Sequence, residues 1–486
     1  MGVKAGLIPG LCAVMVLIPC FLLAQEPDLP SGLDDGPVSP AESEREGNGE
    51  PELPTGMDSV GPAWPESTDD WPGEGMSATT ETTLARRLGI IGFAELRAGT
   101  RVNAPIDQRR ASASEARLEV SRDFAWQGWT AKGTADLLYD DIEPNQHLDL
   151  ETGRGWLDLR ELWIQRRLGS SLDIKAGRQI LTWGVGDLLF INDLFAKDWN
   201  SFLAGRDEQY LKAPSDALRV GGYTSLFNVN LIYVPRFDAD RFIDGRRLSY
   251  YSPLQGTVVG GHQVLEVNDR DRIWQDDEWA LRLYRTLQSY EIALYGYRGF
   301  WKSPGGFDAT TGRGVFPALD VFGASARGPM GPGIVSVELG YYHSRDDSDG
   351  TDPLVNNSEW RGLLGYEWEL VPDTTLALQY YVESMADYSD YRDTLPSGQR
   401  SRDEHRQVVT ARLTRLALHQ NLTLSLFVFY SPTDRDSYWR PKVSYKLTDN
   451  WRLEGGMNLF TGQDSNTFFG QFERNSNAYG AIRYSF

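Results

Sequence analysis

The chain has 486 residues, of which 41% are hydrophobic, 12% aromatic and 24% charged, and its formal net charge is −20. This excess of acid argues against nucleic-acid binding, because contacts to phosphates need clustered positive charge. The charge is also unevenly distributed: residues 26–83 carry −14, whereas residues 84–486 carry only −7. The bulk of the chain is therefore close to neutral.

The N-terminus has the layout of a secretory signal peptide. Lys4 precedes an apolar run of 13 residues from Leu11 to Leu23, and Ala24 stands before a polar sequence. The run is shorter than the roughly 20 residues that a membrane-spanning helix needs. We predict a signal peptide at 1–24, whose cleavage would remove both cysteines of the chain.

Residues 25–83 are predicted to form a disordered, acidic periplasmic leader. The segment holds 9 of the 25 prolines and very few aliphatic residues, and low hydrophobicity with high net charge disfavours a packed core. We interpret it as a solvated tether. The alternative is a segment that binds a periplasmic partner, with Trp64 and Trp71 as its anchors.

From residue 84 onward, apolar and polar residues alternate with a period of two, which is typical of strands with one apolar face. Leu422, Leu424 and Leu426, for example, alternate with Thr423 and Ser425. We predict about eighteen strands, with sixteen as the alternative. Their ranges are 88–100, 112–124, 127–140, 156–168, 171–182, 215–226, 228–236, 279–288, 290–300, 317–327, 333–344, 360–370, 373–384, 406–418, 421–431, 437–447, 450–461 and 478–486.

The connections between these strands are alternately short and long, from one residue to about 42. Transmembrane barrels have this pattern, because their periplasmic turns are short and their outer loops are long. The sequence therefore predicts that residues 84–486 form an all-β, antiparallel up-and-down barrel in the outer membrane. An even number of strands would place both ends of the barrel, and the leader, in the periplasm.

Charged residues at predicted inward positions are candidates for the wall of the lumen. A two-residue turn at Gly169-Ser170 would place Glu161 opposite Arg178, and we predict that this pair faces the lumen, with a shift of phase at Gly177 or an apolar patch inside the wall. Four further candidates lie later in the chain: Arg282, Glu383, Arg412 and Arg483. Such a mixed wall would orient charged solutes.

The connection after the fifth strand, at about 183–214, mixes apolar and charged residues, as a loop that packs against something would. We predict that it folds into the barrel and constricts it; the alternative is a cap over the mouth. The candidate constriction residues are Asp187, Asp193, Lys197, Asp198 and Arg206. The next connection, 236–278, is interpreted as a second lid or a surface epitope.

Several short motifs in this region, taken in order, resemble a family of porin-like outer-membrane barrels of Gram-negative bacteria that is distantly related to alginate-export channels. The motifs are Leu159-Arg160-Glu161-Leu162-Trp163, Ala176-Gly177-Arg178-Gln179, Trp183-Gly184, Pro214 and Val234-Pro235-Arg236-Phe237. The resemblance covers about 80 residues. It implies a diffusion or export channel and names no substrate, and the mixed lumen predicted here argues against a polyuronate.

The last predicted strand resembles the terminal strand of Gram-negative outer-membrane proteins. Gly480, Ile482, Tyr484 and Phe486 share one face. The resemblance implies that Phe486 is a signal for the barrel-assembly machinery and that outer-membrane lipid and lipopolysaccharide surround the barrel. Aromatic residues near strand ends are expected to form interfacial girdles; they are Trp126, Trp279, Tyr290, Trp360, Trp439 and Trp451.

The sequence contains no recognisable catalytic or phosphate-binding motif, and its five histidines are expected in loops or at strand ends. We expect no enzyme activity, cofactor or metal. The predicted function is a porin-like channel for small polar or charged solutes. The alternative is a closed structural or adhesive barrel that presents its outer loops as a binding surface, and the oligomeric state stays open.

Overall fold

The computed structural model describes residues 89–143, 148–150, 152–396 and 401–486. The predicted signal peptide at 1–24 and the predicted leader at 25–83 lie outside the described residues. Within the described part of the chain, no helix is both long enough and apolar enough to cross a membrane.

The described residues form eighteen long strands, numbered β1 to β18 in chain order. They are Ile91–Arg101, Ala111–Trp126, Trp129–Asp140, Leu157–Leu168, Leu172–Ile180, Pro214–Tyr223, Asn228–Val234, Glu278–Leu287, Tyr290–Phe300, Ala318–Met330, Gly333–Ser344, Glu359–Val371, Thr374–Met385, His405–Ala417, Leu422–Ser431, Asp436–Lys446, Trp451–Gly462 and Asn477–Ser485. Each strand pairs antiparallel with the next one in the chain. The period-two pattern predicted all eighteen, because each strand keeps one apolar face.

The sheet closes on itself, because β1 pairs antiparallel with β18 from Phe93 opposite Ser485 to Arg101 opposite Asn477. The backbone of Phe486 continues this pairing through two hydrogen bonds to Gly92, of 3.0 and 3.2 Å. Closure leaves no unpaired sheet edge. The predicted all-β, up-and-down barrel of eighteen strands is therefore confirmed.

The two ends of the barrel differ in the length of their connections. At one end, turns of two to four residues join the strands. The turn after β2 has positive φ angles at Gln127 (47°) and Gly128 (78°), as the twist of a two-residue hairpin requires. At the other end lie the long connections, including 141–156, 181–213 and 235–277.

The long connections contain the other helices and strands of the described residues. Two short hairpins pair Tyr250–Ser252 with Thr257–Val259 and Gly306–Phe307 with Gly314–Val315. Helix α1 is Trp199–Ala204 and helix α2 is Tyr388–Thr394; 3-10 turns lie at Glu208–Leu211 and Gly470–Asn475.

The outer face of the barrel is apolar and carries aromatic residues at both ends of the strands. Leu96, Leu162 and Phe322 are about 60% exposed on this face, whereas residues of opposite phase are buried in the lumen. Of the predicted girdle residues, five tryptophans are exposed. Trp126 and Trp451 lie at the turn end, and Trp279, Trp360 and Trp439 lie at the loop end.

Candidate functional site

The candidate site is built around the connection between β5 and β6, residues 181–213, which we call the inner loop. Its local structure follows from capping residues. The Asp198 side chain accepts a hydrogen bond from the Ser201 amide (2.7 Å) and starts α1, and Gly205 ends the helix with φ of 81°. The Asp207 side chain then caps the 3-10 turn by accepting from the Gln209 amide.

The inner loop lies in the lumen, because it contacts inward-facing side chains of strands far apart around the barrel. On β11, the Glu338 carboxylate accepts hydrogen bonds from the backbone amides of Val185 (3.0 Å) and Asn192 (2.8 Å). On β1, the Arg97 guanidinium donates to the carbonyl of Gly205 at 2.7 Å. The loop therefore reaches across the barrel interior.

The five predicted constriction residues all lie in this loop, and each is held by an ion pair. Asp187 forms two hydrogen bonds with Arg412, of 2.7 and 2.9 Å. The other pairs are Asp193 with Lys197 (2.8 Å), Asp198 with Arg241 (3.4 Å) and Arg206 with Glu115 (2.7 Å). These charges fix the loop to itself, to the neighbouring loop and to the wall.

Two carboxylates of the inner loop share one arginine but differ in pKa. Burial raises the pKa of Asp187 to about 6, and the nearby Glu208 adds to this effect while Arg412 opposes it. For Glu208, burial is outweighed by the attraction of Arg412 and Arg440, which holds its pKa below the usual value.

Aromatic side chains fill the lumen around α1. The Phe202 ring lies edge-on to Tyr438 and Phe429, with ring centroids 5.7 and 6.2 Å apart, and Tyr438 stacks on Phe460 at 4.4 Å. All four side chains are buried. A packed apolar cluster thus lies beside the ion pairs of the inner loop at the loop end of the lumen.

Four of the predicted wall residues carry ion pairs on inward-facing positions. Arg412 binds the inner loop, and Arg483 joins Glu95 (2.7 Å) to Asp207 of that loop (3.4 Å). Arg282 pairs with Glu291, and Glu383 with Arg406 at 3.7 Å. The wall is mixed in charge.

The predicted pairing of Glu161 with Arg178 is wrong. The turn after β4 has three residues rather than two, so Arg178 lies opposite Leu162. Glu161 instead pairs with Lys132 (2.7 Å), and Arg178 with Asp216 (3.0 Å).

The shift of phase that was predicted at Gly177 lies at Arg160. Thr134 and Ala135 of β3 face Glu161 and Leu159, so Arg160 is the extra residue of a β-bulge. The bulge turns Glu161 to the inner face although its neighbours in sequence suggest the opposite phase. Gly177 is itself distorted, with φ of 120°.

Sequence reasoning missed two residues that hold the inner loop. Glu338 is completely buried on β11, and the available signal was an acid placed alone between Val337 and Leu339. Arg241, in the connection 235–277, bridges Asp158 of β4 (2.8 Å) and Asp198. That connection therefore packs on the inner loop.

No family model and no curated protein matches this chain. Solved structures that match include engineered variants of the porin of Rhodopseudomonas blastica. One shares 10% identity over 82% of this chain and 99% of that chain, with a TM-score of 0.35, and a second shares 10% over the same spans, with a TM-score of 0.36. A structure titled "Asymmetric conductivity of engineered proteins" shares 11% over the same spans, with a TM-score of 0.35. The eighteen strands and their closure make this chain a porin-like barrel.

Proposed function

We propose that the chain forms an outer-membrane channel through which small polar or charged solutes pass, with the inner loop as its constriction. The proposal is carried by the position of the inner loop in the lumen. Asp187 of the loop pairs with Arg412 on one side of the wall, and Arg206 pairs with Glu115 on another. A loop fixed in this way narrows a pore without a moving part.

The outer face of the barrel supports the proposed membrane setting. A closed sheet with exposed leucines between two belts of tryptophan suits a bilayer, since closure leaves no unpaired sheet edge and the aromatic rings favour the interfaces. In this setting the short turns face the periplasm and the long loops face outward. The leader at 25–83 would then lie in the periplasm, and Phe486 would serve barrel assembly.

Passage of solutes is supported by partly exposed charges on the turn side of the inner loop. The side chains of Glu208 and Glu367 are each 37% exposed, and that of Lys442 is 29% exposed. Charged side chains inside a barrel remain exposed only where water reaches them. This half of the lumen is therefore a polar vestibule leading to the loop.

Conductance of the purified full chain in planar lipid bilayers tests the proposal. We expect small, stable channels, and we expect Arg412→Gln to increase their conductance, because Asp187 and Glu208 lose their shared partner. Arg285→Gln, on the outer face of β8, is the matched control and should leave conductance unchanged. Absence of conductance in both the parent protein and Arg412→Gln would overturn the proposal.

A closed structural or adhesive barrel is the second candidate, and the aromatic cluster around Phe202 and Tyr438 favours it. In that case neither the parent protein nor Arg412→Gln conducts ions, and the long loops act as the binding surface. The same bilayer measurement therefore separates the two functions.

A further inference from the structure

The wall of the polar vestibule on β4 to β8 carries aromatic rings that point into the lumen. Trp163 lies on β4, Tyr223 on β6 and Tyr284 on β8, and all three are half-buried. They have the opposite phase to exposed leucines of the same strands, such as Leu162 and Leu218. The three rings are therefore accessible from the vestibule and not from the lipid.

The two tyrosines lie in one row across the sheet, because Asn228 of β7 is the register partner of both Tyr223 and Tyr284. Neighbouring strands are about 4.8 Å apart, so the two rings are separated by roughly 10 Å. A flat ring of one small solute can contact both.

Cations lie against these rings. The Lys175 ammonium is 3.9 Å from the centroid of the Trp163 ring, and the Arg282 guanidinium is 4.4 Å from that of Tyr284. Lys175 is also the direct register partner of Arg219 on β6. This wall therefore combines aromatic surface with three positive charges.

Arg219 differs from the ion-paired arginines of the lumen. Its Nε donates to the neutral amide oxygen of Asn230 at 3.1 Å. Among the described residues, no carboxylate oxygen lies within 4.0 Å of a nitrogen of this guanidinium, the limit for an ion pair. Arg282, by contrast, is paired with Glu291. A guanidinium without a carboxylate can bind one from solution through two parallel hydrogen bonds.

The carboxylate oxygens of Glu161 and Asp173 on this wall are engaged within the protein or buried. Glu161 accepts from the Trp163 indole (3.0 Å) and pairs with Lys132. Asp173 accepts from Gln165 (3.4 Å) through one oxygen, and its other oxygen is buried. Hydroxyl groups of a sugar would therefore find few hydrogen-bond acceptors on this wall, whereas an apolar ring needs no hydrogen bond.

We propose that this wall is a binding site for an aromatic carboxylate, whose carboxylate binds Arg219 and whose ring packs against Tyr223 and Tyr284. The site lies in the vestibule of the proposed channel and so rests on that function for its role in transport. Binding itself does not require conduction, which makes the two separable.

Isothermal titration calorimetry of the purified full chain in detergent, with sodium benzoate as the probe, tests this site. We expect benzoate to bind at least roughly tenfold more tightly than benzyl alcohol, sodium acetate or sodium glucuronate, since each lacks one of the two recognised groups. Arg219→Gln should weaken benzoate binding by roughly tenfold or more.

Arg452→Gln is the matched control. It removes an arginine from the lumen face of β17, on strands that are not part of the proposed site, and it should change benzoate affinity by less than about twofold. Equal benzoate affinity in Arg219→Gln and the parent protein, or no benzoate binding at all, would overturn the site. Equal affinities for glucuronate and benzoate would overturn the proposal that the ligand is aromatic. Benzoate binding without bilayer conductance would keep the site and overturn the channel.

Discussion

Among individual residues, Asp187 and Glu208 help to hold the inner loop, and their effects on stability depend on pH. Asp187 has a raised pKa of about 6. The stabilising contribution of a carboxyl group with a raised pKa is fully present below its unfolded pKa and is lost as the pH rises through the folded value. Glu208 has a lowered pKa, so its contribution is present above its unfolded pKa and is lost on acidification.

Opposite responses are therefore expected from two isosteric substitutions. Between about pH 4 and pH 7, Asp187→Asn should gain stability relative to the parent protein, by roughly 1–3 kcal/mol. Glu208→Gln should be less stable than the parent protein above the unfolded pKa of Glu208, by a smaller amount because this side chain is more exposed, and the difference should shrink on acidification. Urea unfolding in detergent at a series of pH values measures both, and a change of the same sign in the two variants would contradict the assignment.

The buried carboxylate of Glu338 is expected to stabilise the inner loop. Its carboxylate accepts from the amides of Val185, Gly186 and Asn192 and from the Asn192 side chain. Glu338→Gln replaces one acceptor oxygen with a donor, leaving amides unpaired, and should cost roughly 1–3 kcal/mol. Glu291→Gln, which removes a partly exposed carboxylate, should cost less in the same unfolding measurement. Equal losses would show that the buried contact is not what holds the loop.

At the scale of the element, the inner loop depends on one glycine. Gly205 has a left-handed φ of 81°, and a Cβ there would lie 2.4 Å from the Tyr479 ring and 2.5 Å from the Asn458 amide. Gly128, in the turn after β2, has nearly the same φ of 78°, but a Cβ there would meet no atom within 4 Å. The two positions separate backbone strain from steric crowding.

Gly128→Ala is expected to cost about 1 kcal/mol, the strain of the left-handed backbone alone. Gly205→Ala should cost at least roughly 1 kcal/mol more, because the wall must also move, and it should change bilayer conductance. Thermal unfolding with the same detergent for both proteins gives the comparison. Equal losses would mean that the inner loop does not pack tightly against β17 and β18.

At the scale of the whole molecule, the sequence predicts the barrel well and the contacts inside it poorly. Strand positions follow from an alternation visible along the chain, as at Leu422 and Leu424. Register depends on turn length and bulges, so one extra turn residue and a bulge at Arg160 displaced the predicted partner of Glu161. The hydrogen bonds of Glu338 to the inner loop join residues about 150 positions apart in the sequence. No local sequence pattern can predict a contact at that separation.

The barrel is expected to lie in the outer membrane with its long connections facing outward and its short turns facing the periplasm. Both cysteines lie in the predicted signal peptide, so the mature chain would contain none and single-cysteine variants report one position each. Thr310→Cys, at an exposed position in the connection 301–317, should react with a membrane-impermeant maleimide on intact cells. Gln420→Cys, exposed in the turn after β14, should react only after the outer membrane is permeabilised. Because turns and loops lie at opposite ends of every strand, the reverse labelling would mean that the barrel is inverted, and equal labelling in intact cells would mean that it does not span the membrane.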